Sequence, residues 1–145
     1  MLVHGTCVAL KAGRRWHGVL LRGPSGSGKS DLALRLIDGG ARLVADDQTR
    51  LMRKGRALVA TGPASLKAMM EVRGIGIVTL GRTQTMPAVP LGLLVDLVAP
   101  QHIERMPEPT RETLEGIELP LLVLAPFEAS AGAKLRLALA RIAAA

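Results

Sequence analysis

The chain has 145 residues, 48% of them hydrophobic, which suits one domain over residues 1–145 and argues against a disordered protein. The longest apolar stretch, residues 119–127, is too short to cross a bilayer. No secretory signal pattern precedes it, so we expect a cytoplasmic protein that does not contact the membrane. The net charge of +7 favours an anionic partner, but the few aromatic residues argue against a specific nucleic-acid binder that stacks bases.

The first half of the chain shows short apolar segments punctuated by glycines. Residues 11–17 contain Gly13, two arginines and Trp16, and are typical of a hairpin turn. Gly39 and Gly40 are expected to end the first helix, and Cys7 is expected to be a small buried residue. In chain order, the patterns predict strands over residues 2–10, 18–22, 41–45, 49–52 and 57–61, and a helix over 29–37.

The second half is less regular and ends in an alanine-rich helix. The patterns predict a short helix over 65–70, strands over 77–80, 91–98 and 116–125, an exposed loop over 100–109, and a helix over 129–144. Leu135, Leu139 and Ile142 are expected on one side of that last helix. The order predicts a strand-rich α/β domain that does not alternate regularly as a doubly wound fold does.

A glycine-rich loop with a phosphate-binding pattern separates the strand over 18–22 from the first helix. It matches G-x-x-x-x-G-K-[ST], whose glycines let backbone N–H groups turn towards an anion at a helix N-terminus. Lys29 can reach the β- and γ-phosphates of a nucleotide, and the hydroxyl of Ser30 can bind Mg²⁺. The predicted nucleotide-binding residues are Gly23, Pro24, Ser25, Gly26, Ser27, Gly28, Lys29 and Ser30.

Two carboxylates, Asp46 and Asp47, come directly after the strand over 41–45. Functional groups of α/β sheets gather at the carboxyl ends of strands, so we expect both to face the phosphate site. Phosphoryl transfer needs a carboxylate for the metal and a group that accepts the nucleophile's proton. A solvated turn is the alternative, which the neighbouring P-loop disfavours.

Three sequence blocks together resemble the catalytic domain of HPr kinase/phosphorylase. They are VHG at residues 3–5, the P-loop and its helix leading to LVADD at 43–47, and MEVRGIGI at 70–77. The resemblance covers residues 1 to about 80, and its third block is the most specific because P-loops are common. It implies a P-loop nucleotide-binding fold of the HPr kinase/PEP carboxykinase type.

The resemblance also implies an ATP- and Mg²⁺-dependent kinase that phosphorylates a serine of an HPr-type phosphocarrier protein, with phosphorolysis as the reverse reaction. His4 would be an active-site histidine near the transferred phosphate, and Lys29 would bind phosphate. Asp47 would take the proton from the substrate serine. Arg73 and the glycines after it would shape the loop that meets the protein substrate.

For the metal, the resemblance implies that Asp46 and Ser30 support one Mg²⁺ site and that Glu71 is a further Mg²⁺ ligand. It also implies a homo-oligomer, a hexamer, which would account for a high apolar content without a membrane segment.

The chain departs from the family pattern near its C-terminus. The family's Pro-Gly-Arg-Asn element has no clear match, and Pro126-Phe127-Glu128 stands about where it should be. An arginine is therefore missing, with Arg105 and Arg111 as the candidate substitutes. This departure bears on the phosphorylase direction more than on the kinase direction.

Two other functions remain open from the sequence. One is a small-molecule P-loop kinase with residues 100–109 as its lid. The other is a non-catalytic nucleotide-gated regulatory module, suggested by basic clusters such as Arg14-Arg15. Because Trp16 and Phe127 are the only aromatic residues, we also expect no aromatic stacking of the adenine base and little selectivity among nucleotides.

Overall fold

The computed structural model describes residues 1–63 and 68–145, and these form a strand-rich α/β fold. Within these residues, short 3-10 turns lie at Arg82–Gln84 and Pro100–His102. The helices are α1 Lys29–Asp38 and α2 Ala131–Ala144, and the strands are β1 Leu2–His4, β2 Thr6–Ala12, β3 Arg15–Arg22, β4 Arg42–Ala45, β5 Gln48–Lys54, β6 Ala57–Thr61, β7 Met69–Val72, β8 Gly76–Thr79, β9 Ala88–Leu97, β10 Thr110–Leu114 and β11 Ile117–Leu124. In the part of the chain described, neither helix is long and apolar enough to span a membrane.

Nine strands form one mixed sheet in the order β1-β5-β6-β9-β3-β2-β4, with β11 pairing with β9 and β10 pairing with β11. β3 runs parallel to β9, with Leu21 opposite Val95. β2 and β3 form an antiparallel hairpin, with Lys11 opposite Trp16. β7 and β8 form a separate two-stranded hairpin. The central position of β3 matters for function because the P-loop follows its last residue.

The sheet is apolar on both faces, and alternate residues of each strand serve the two sides. In β2, Val8 and Leu10 pack with the two helices, whereas Cys7 and Ala9 point to the opposite face. There, strands β5 and β6 supply buried residues such as Leu51 instead of a helix. This two-sided burial takes up a large part of the apolar residues of the chain.

The sequence predictions hold for most elements and fail at four places. The hairpin turn predicted over 11–17 is limited to Gly13 and Arg14, because the residues on either side pair with each other as the ends of β2 and β3. The strand predicted over 2–10 is broken at Gly5 into β1 and β2, because the two halves pair with different strands. The short helix predicted over 65–70 is wrong at Met69 and Met70, which lie in β7, while residues 64–67 lie outside the described part. Strand β10 was not predicted, and residues 110–114 are largely polar.

Helix α2 buries the side that the sequence predicts. Leu135 and Leu139 are fully buried, and Ile142 is partly buried against the same core. The helix starts at Ala131, two residues later than predicted, because residues 126–130 form a turn that packs beside the P-loop.

Candidate active site

The P-loop joins β3 to α1 in a conformation that glycine makes possible. Gly26 and Gly28 have φ of 81° and 98°, which side-chain-bearing residues rarely adopt. The N–H of Ser27 donates to the carbonyl of Pro24 at 3.0 Å, which tightens the loop. A glycine-rich loop that leads into a helix N-terminus leaves backbone N–H groups available to an anion. The local structure is therefore that of a phosphate-binding loop.

Lys29 is held against this loop and is only 5% exposed. Its Nζ donates to the carbonyl oxygens of Gly23 at 2.6 Å and Pro24 at 3.0 Å. These carbonyls satisfy a buried ammonium group that would otherwise be costly to bury. The charge is thus fixed at the loop where phosphate oxygens would bind.

Asp46 ties three segments of the chain together. Its Oδ1 accepts hydrogen bonds from Ser30 Oγ at 2.8 Å and from Thr6 Oγ1 at 3.1 Å. Its Oδ2 accepts a hydrogen bond from the backbone N–H of Glu71 at 3.3 Å. The P-loop helix, β2 and β7 therefore meet at one carboxylate, as expected for a group at the carboxyl end of a strand.

Asp47, the residue after Asp46, forms a side-chain contact with His4. His4 Nε2 lies 2.7 Å from Asp47 Oδ1, and the two side chains are 50% and 62% exposed. When the carboxylate is ionised it is the acceptor, so Nε2 carries the proton. This pair can orient a carboxylate towards a hydroxyl group that approaches from solvent.

One open cleft of about 570 Å³ collects these groups. The predicted site residues that line it are Ser25, Gly26, Gly28, Lys29, Ser30, Asp46, Asp47, Glu71 and Arg73. His4 joins them through its contact with Asp47. Gly23 and Pro24 contribute the carbonyls that hold Lys29, whereas the hydroxyl of Ser27 is buried beneath the loop.

The donor set suits a small hard cation that is completed by phosphate. Ser30 Oγ and Asp46 Oδ1, two oxygen atoms that can bind a metal ion, lie 2.8 Å apart, and Glu71 lines the same cleft. Within residues 1–63 and 68–145 there is no cluster of three or more His, Cys, Asp or Glu side chains that could hold a metal alone. Mg²⁺ is usually bound in this way, by one or two carboxylates together with substrate phosphates and water.

Several residues of this site were missed from the sequence. Thr6 is fully buried, and its Oγ1 also accepts a hydrogen bond from the N–H of Asp47 at 3.1 Å. Leu34, Val72 and Phe127 add apolar surface to the cleft. For Thr6, the local indication of a role in the site is its position two residues after His4, with a side chain that points into the protein. The others depend on how distant segments pack.

The two candidate substitute arginines do not line the cleft. Arg111 pairs with Glu118 at 2.5 Å across the β10–β11 hairpin. Arg105 lies exposed between the 3-10 turn at Pro100–His102 and β10. The structure thus brings neither arginine to the P-loop.

An ion network lies immediately before the P-loop. Arg22, the last residue of β3, bonds Asp96 Oδ1 at 2.7 Å and both carboxylate oxygens of Glu112 at 2.7 and 2.8 Å. The Arg22 guanidinium lowers the pKa of the Glu112 carboxyl through this hydrogen bond. The same bond is the main reason why the pKa of Arg22 is raised. The network fixes the strand end from which the P-loop departs, next to β9 and β10.

A second open cleft of about 790 Å³ lies at the other end of β3. Its rim carries Lys11, Arg14, Arg15 and Arg136, and its apolar side comes from α2. One of the basic clusters noted in the sequence therefore lies apart from the P-loop.

Comparison with known families decides the relationship of this chain. A model described as HPr Serine kinase C-terminal domain matches residues 1–125. The chain belongs to that family. The match confirms the resemblance inferred from the three sequence blocks and extends it beyond residue 80.

Among the curated relatives of this HPr serine kinase domain is the HPr kinase/phosphorylase of Leptothrix cholodnii. It is 40% identical over 118 residues, covering 74% of this chain and 36% of the relative. The protein of the same name from Limosilactobacillus reuteri is 45% identical over 85 residues, covering 55% and 27%. The matches span between 19% and 37% of the relatives' own lengths.

A solved structure supports the fold. The Hpr(Ser) kinase/phosphatase from Coxiella burnetii superposes with a TM-score of 0.80 at 24% identity. The alignment covers 99% of this chain and 94% of that one. The fold class predicted from the sequence is thereby confirmed.

Proposed function

We propose that this domain catalyses ATP- and Mg²⁺-dependent phosphorylation of a serine hydroxyl on an HPr-type phosphocarrier protein. The observation that carries the proposal is the single cleft in which a phosphate-binding loop, Lys29, Asp46 and the His4–Asp47 pair lie together. The names of the relatives supply the acceptor, because each is called an HPr kinase/phosphorylase. The geometry of the cleft and the names of the relatives therefore support the same reaction.

In the proposed reaction the serine oxygen attacks the γ-phosphorus and the bond to the bridging oxygen of ADP breaks. Asp47 takes the serine proton, and His4 holds the Asp47 carboxylate in position through their 2.7 Å contact. Lys29 and the loop N–H groups bind the phosphate oxygens and offset their charge. Mg²⁺ held by Ser30, Asp46 and Glu71 would neutralise charge on the β- and γ-phosphates.

Phosphorolysis would use the same groups in the dephosphorylating direction. An oxygen of inorganic phosphate would attack the phosphorus of the phosphoserine, the bond from that phosphorus to the serine oxygen would break, and pyrophosphate would form while Asp47 returns the proton to the serine oxygen. No arginine corresponding to the family's C-terminal element reaches the described cleft. We therefore expect the kinase direction to be the stronger one.

A protein acceptor fits the shape of the site better than a small metabolite does. The cleft is open, and the β7–β8 hairpin that forms one wall carries Arg73 next to it. Ile75 and Ile77 on this hairpin are 78% and 71% exposed, which is high for such apolar side chains. A protein surface can cover them, whereas a small substrate cannot.

The assembly and location are further parts of the proposal. We infer a cytoplasmic homo-oligomer, a hexamer, with no specific nucleic-acid or membrane partner. Light scattering of the purified chain tests the hexamer directly, and a monomer at micromolar concentration would contradict it.

The decisive experiment is phosphorylation of HPr by the purified chain with γ-labelled ATP and Mg²⁺. We expect label on a serine of HPr and none on HPr in which that serine is replaced by alanine. Asp47→Asn should slow transfer by about 10²- to 10⁴-fold, the usual contribution of a positioned base, with little change in ATP affinity. Asp38→Asn, which removes an exposed carboxylate outside the cleft, is the matched control. Failure to label HPr while ATP still binds would refute the proposed acceptor.

A further inference from the structure

Phe127 is an exposed aromatic residue at the edge of the nucleotide cleft. It lies on the turn between β11 and α2, is 69% exposed and lines the same cleft as Lys29 and Asp47. It is the chain's one phenylalanine. An exposed ring beside a ligand cleft, rather than in the core, calls for a functional explanation.

The turn that carries this ring is fixed to the P-loop and to α1. A Cβ atom added to Gly28 would lie 2.9 Å from Phe127 Cζ and 3.2 Å from Pro126 Cβ, so the turn packs directly on the loop. Arg35 donates to the carbonyl oxygen of Pro126 and, at 3.5 Å, to that of Glu128. Asp31 accepts from Arg35 at 3.1 Å and orients it. The backbone under the ring is thus held, while the ring remains accessible.

The cleft has a polar part that suits the triphosphate of a nucleotide and an apolar part that suits its base. The loop, Lys29, Ser30 and the acidic residues suit the triphosphate and its metal, as argued above. The apolar surface that remains comes from Leu34, Val72 and Phe127. Of the residues that line the described cleft, Phe127 is the aromatic one, and the flat base is the part of a nucleoside triphosphate that matches it.

We propose that Phe127 is the base-binding residue of this site and stacks on the purine of a nucleoside triphosphate. Stacking uses a π-face that every base has, so it adds affinity with little selectivity between ATP and GTP. This placement replaces the expectation, drawn from composition, that the base is not stacked at all. The inference rests on the proposed nucleotide-dependent function but not on the identity of the acceptor.

The test compares a ligand that has a base with one that lacks it. Binding of ATP and of inorganic triphosphate, each with Mg²⁺ and without any acceptor protein, is measured by calorimetry. Phe127→Ala and Phe127→Leu should weaken ATP binding about tenfold, within the range that base–aromatic stacking supplies. Triphosphate binding should stay unchanged in both variants. Phe127→Trp should keep ATP affinity, since it retains a π-face.

Leu137→Ala is the matched control, because Leu137 is 72% exposed on α2 and does not line the cleft. Equal losses for ATP and triphosphate would overturn the inference, since Phe127 would then only support the loop. Unchanged ATP affinity in Phe127→Ala would also overturn it, as would a loss seen only in the KM for HPr. HPr phosphorylation is scored separately, so failure of the proposed acceptor and failure of the base subsite give different results.

Discussion

Replacing Asp46 by alanine and by asparagine should separate the stability of the active site from its metal affinity. The carboxylate accepts three hydrogen bonds, from Ser30, Thr6 and the N–H of Glu71. Only Thr6 is fully buried, whereas Ser30 and Glu71 border the open cleft and can bond to water instead. The two variants therefore differ in what they leave unpaired.

Alanine leaves the buried Thr6 hydroxyl without its acceptor, which should cost roughly 1–3 kcal/mol in the free energy of unfolding. Asparagine keeps an oxygen in the place of Oδ1 and should cost at most about 1 kcal/mol. Asparagine nevertheless removes the negative charge that Mg²⁺ requires. At a nucleotide concentration about 100 times the dissociation constant, we expect Mg-ATP to add about 2.7 kcal/mol to the wild-type stability. A hundredfold loss of affinity reduces that increment to about 0.4 kcal/mol.

Urea unfolding with and without Mg-ATP measures both quantities on the same samples. Asp46→Asn should unfold close to the wild type without ligand but gain little from Mg-ATP. Asp46→Ala should have a lower free energy of unfolding than the wild type both without and with Mg-ATP. Equal stability losses in the two variants would refute the argument from Thr6, and a full Mg-ATP increment in Asp46→Asn would refute Asp46 as a metal ligand.

Three further predictions concern the scaffold around the site. Because Arg22 lowers the pKa of Glu112, the stability that Glu112 contributes is present above its unfolded pKa, about 4.3, and is lost as the pH falls through the lower folded value. The difference in unfolding free energy between wild type and Glu112→Gln should therefore be measurable at pH 7 and vanish in acid. Burial raises the pKa of the Cys7 thiol to about 12, so iodoacetamide should modify it only after unfolding in urea. Leu139→Ala should cost about 2–5 kcal/mol because the side chain is buried against the core, whereas the exposed Leu137→Ala should stay within about 0.5 kcal/mol.

The P-loop part of the candidate site is predictable because its determinants are local. A short apolar run, a glycine-rich loop and an amphipathic helix follow one another within residues 18–38, and each needs only its own neighbours to form. The rule that functional groups gather at the ends of strands extends the prediction to Asp46 and Asp47. Both indeed line the cleft with Lys29.

The remaining errors come from tertiary contacts that leave little trace in the sequence. Gly5 lies inside an apolar run, but its N–H donates to the carbonyl of Asp47 at 2.8 Å, and the strand breaks there. A Cβ at Gly5 would approach the carbonyl oxygen of Leu21 to 3.0 Å, so the break depends on close packing against β3. Strand β10 lies at the sheet edge, where its residues are largely polar. The usual alternation of polar and apolar residues is therefore not visible in its sequence. Phe127 lies at the cleft on a turn that packs on Gly28 and is bonded by Arg35, which is distant in the sequence.

The break at Gly5 explains how two adjacent carboxylates come to serve one cleft. Consecutive residues of a strand point to opposite faces, so a regular continuation of β4 would send Asp46 and Asp47 apart. Asp47 instead has φ of 65°, a conformation that costs a residue with a side chain roughly 1–3 kcal/mol and that Asp tolerates better than most. Gly5 and Thr6 hold it there by bonding its backbone carbonyl and N–H groups. The block around His4 therefore does more than supply a histidine, because its backbone turns Asp47 into the site that Asp46 already occupies.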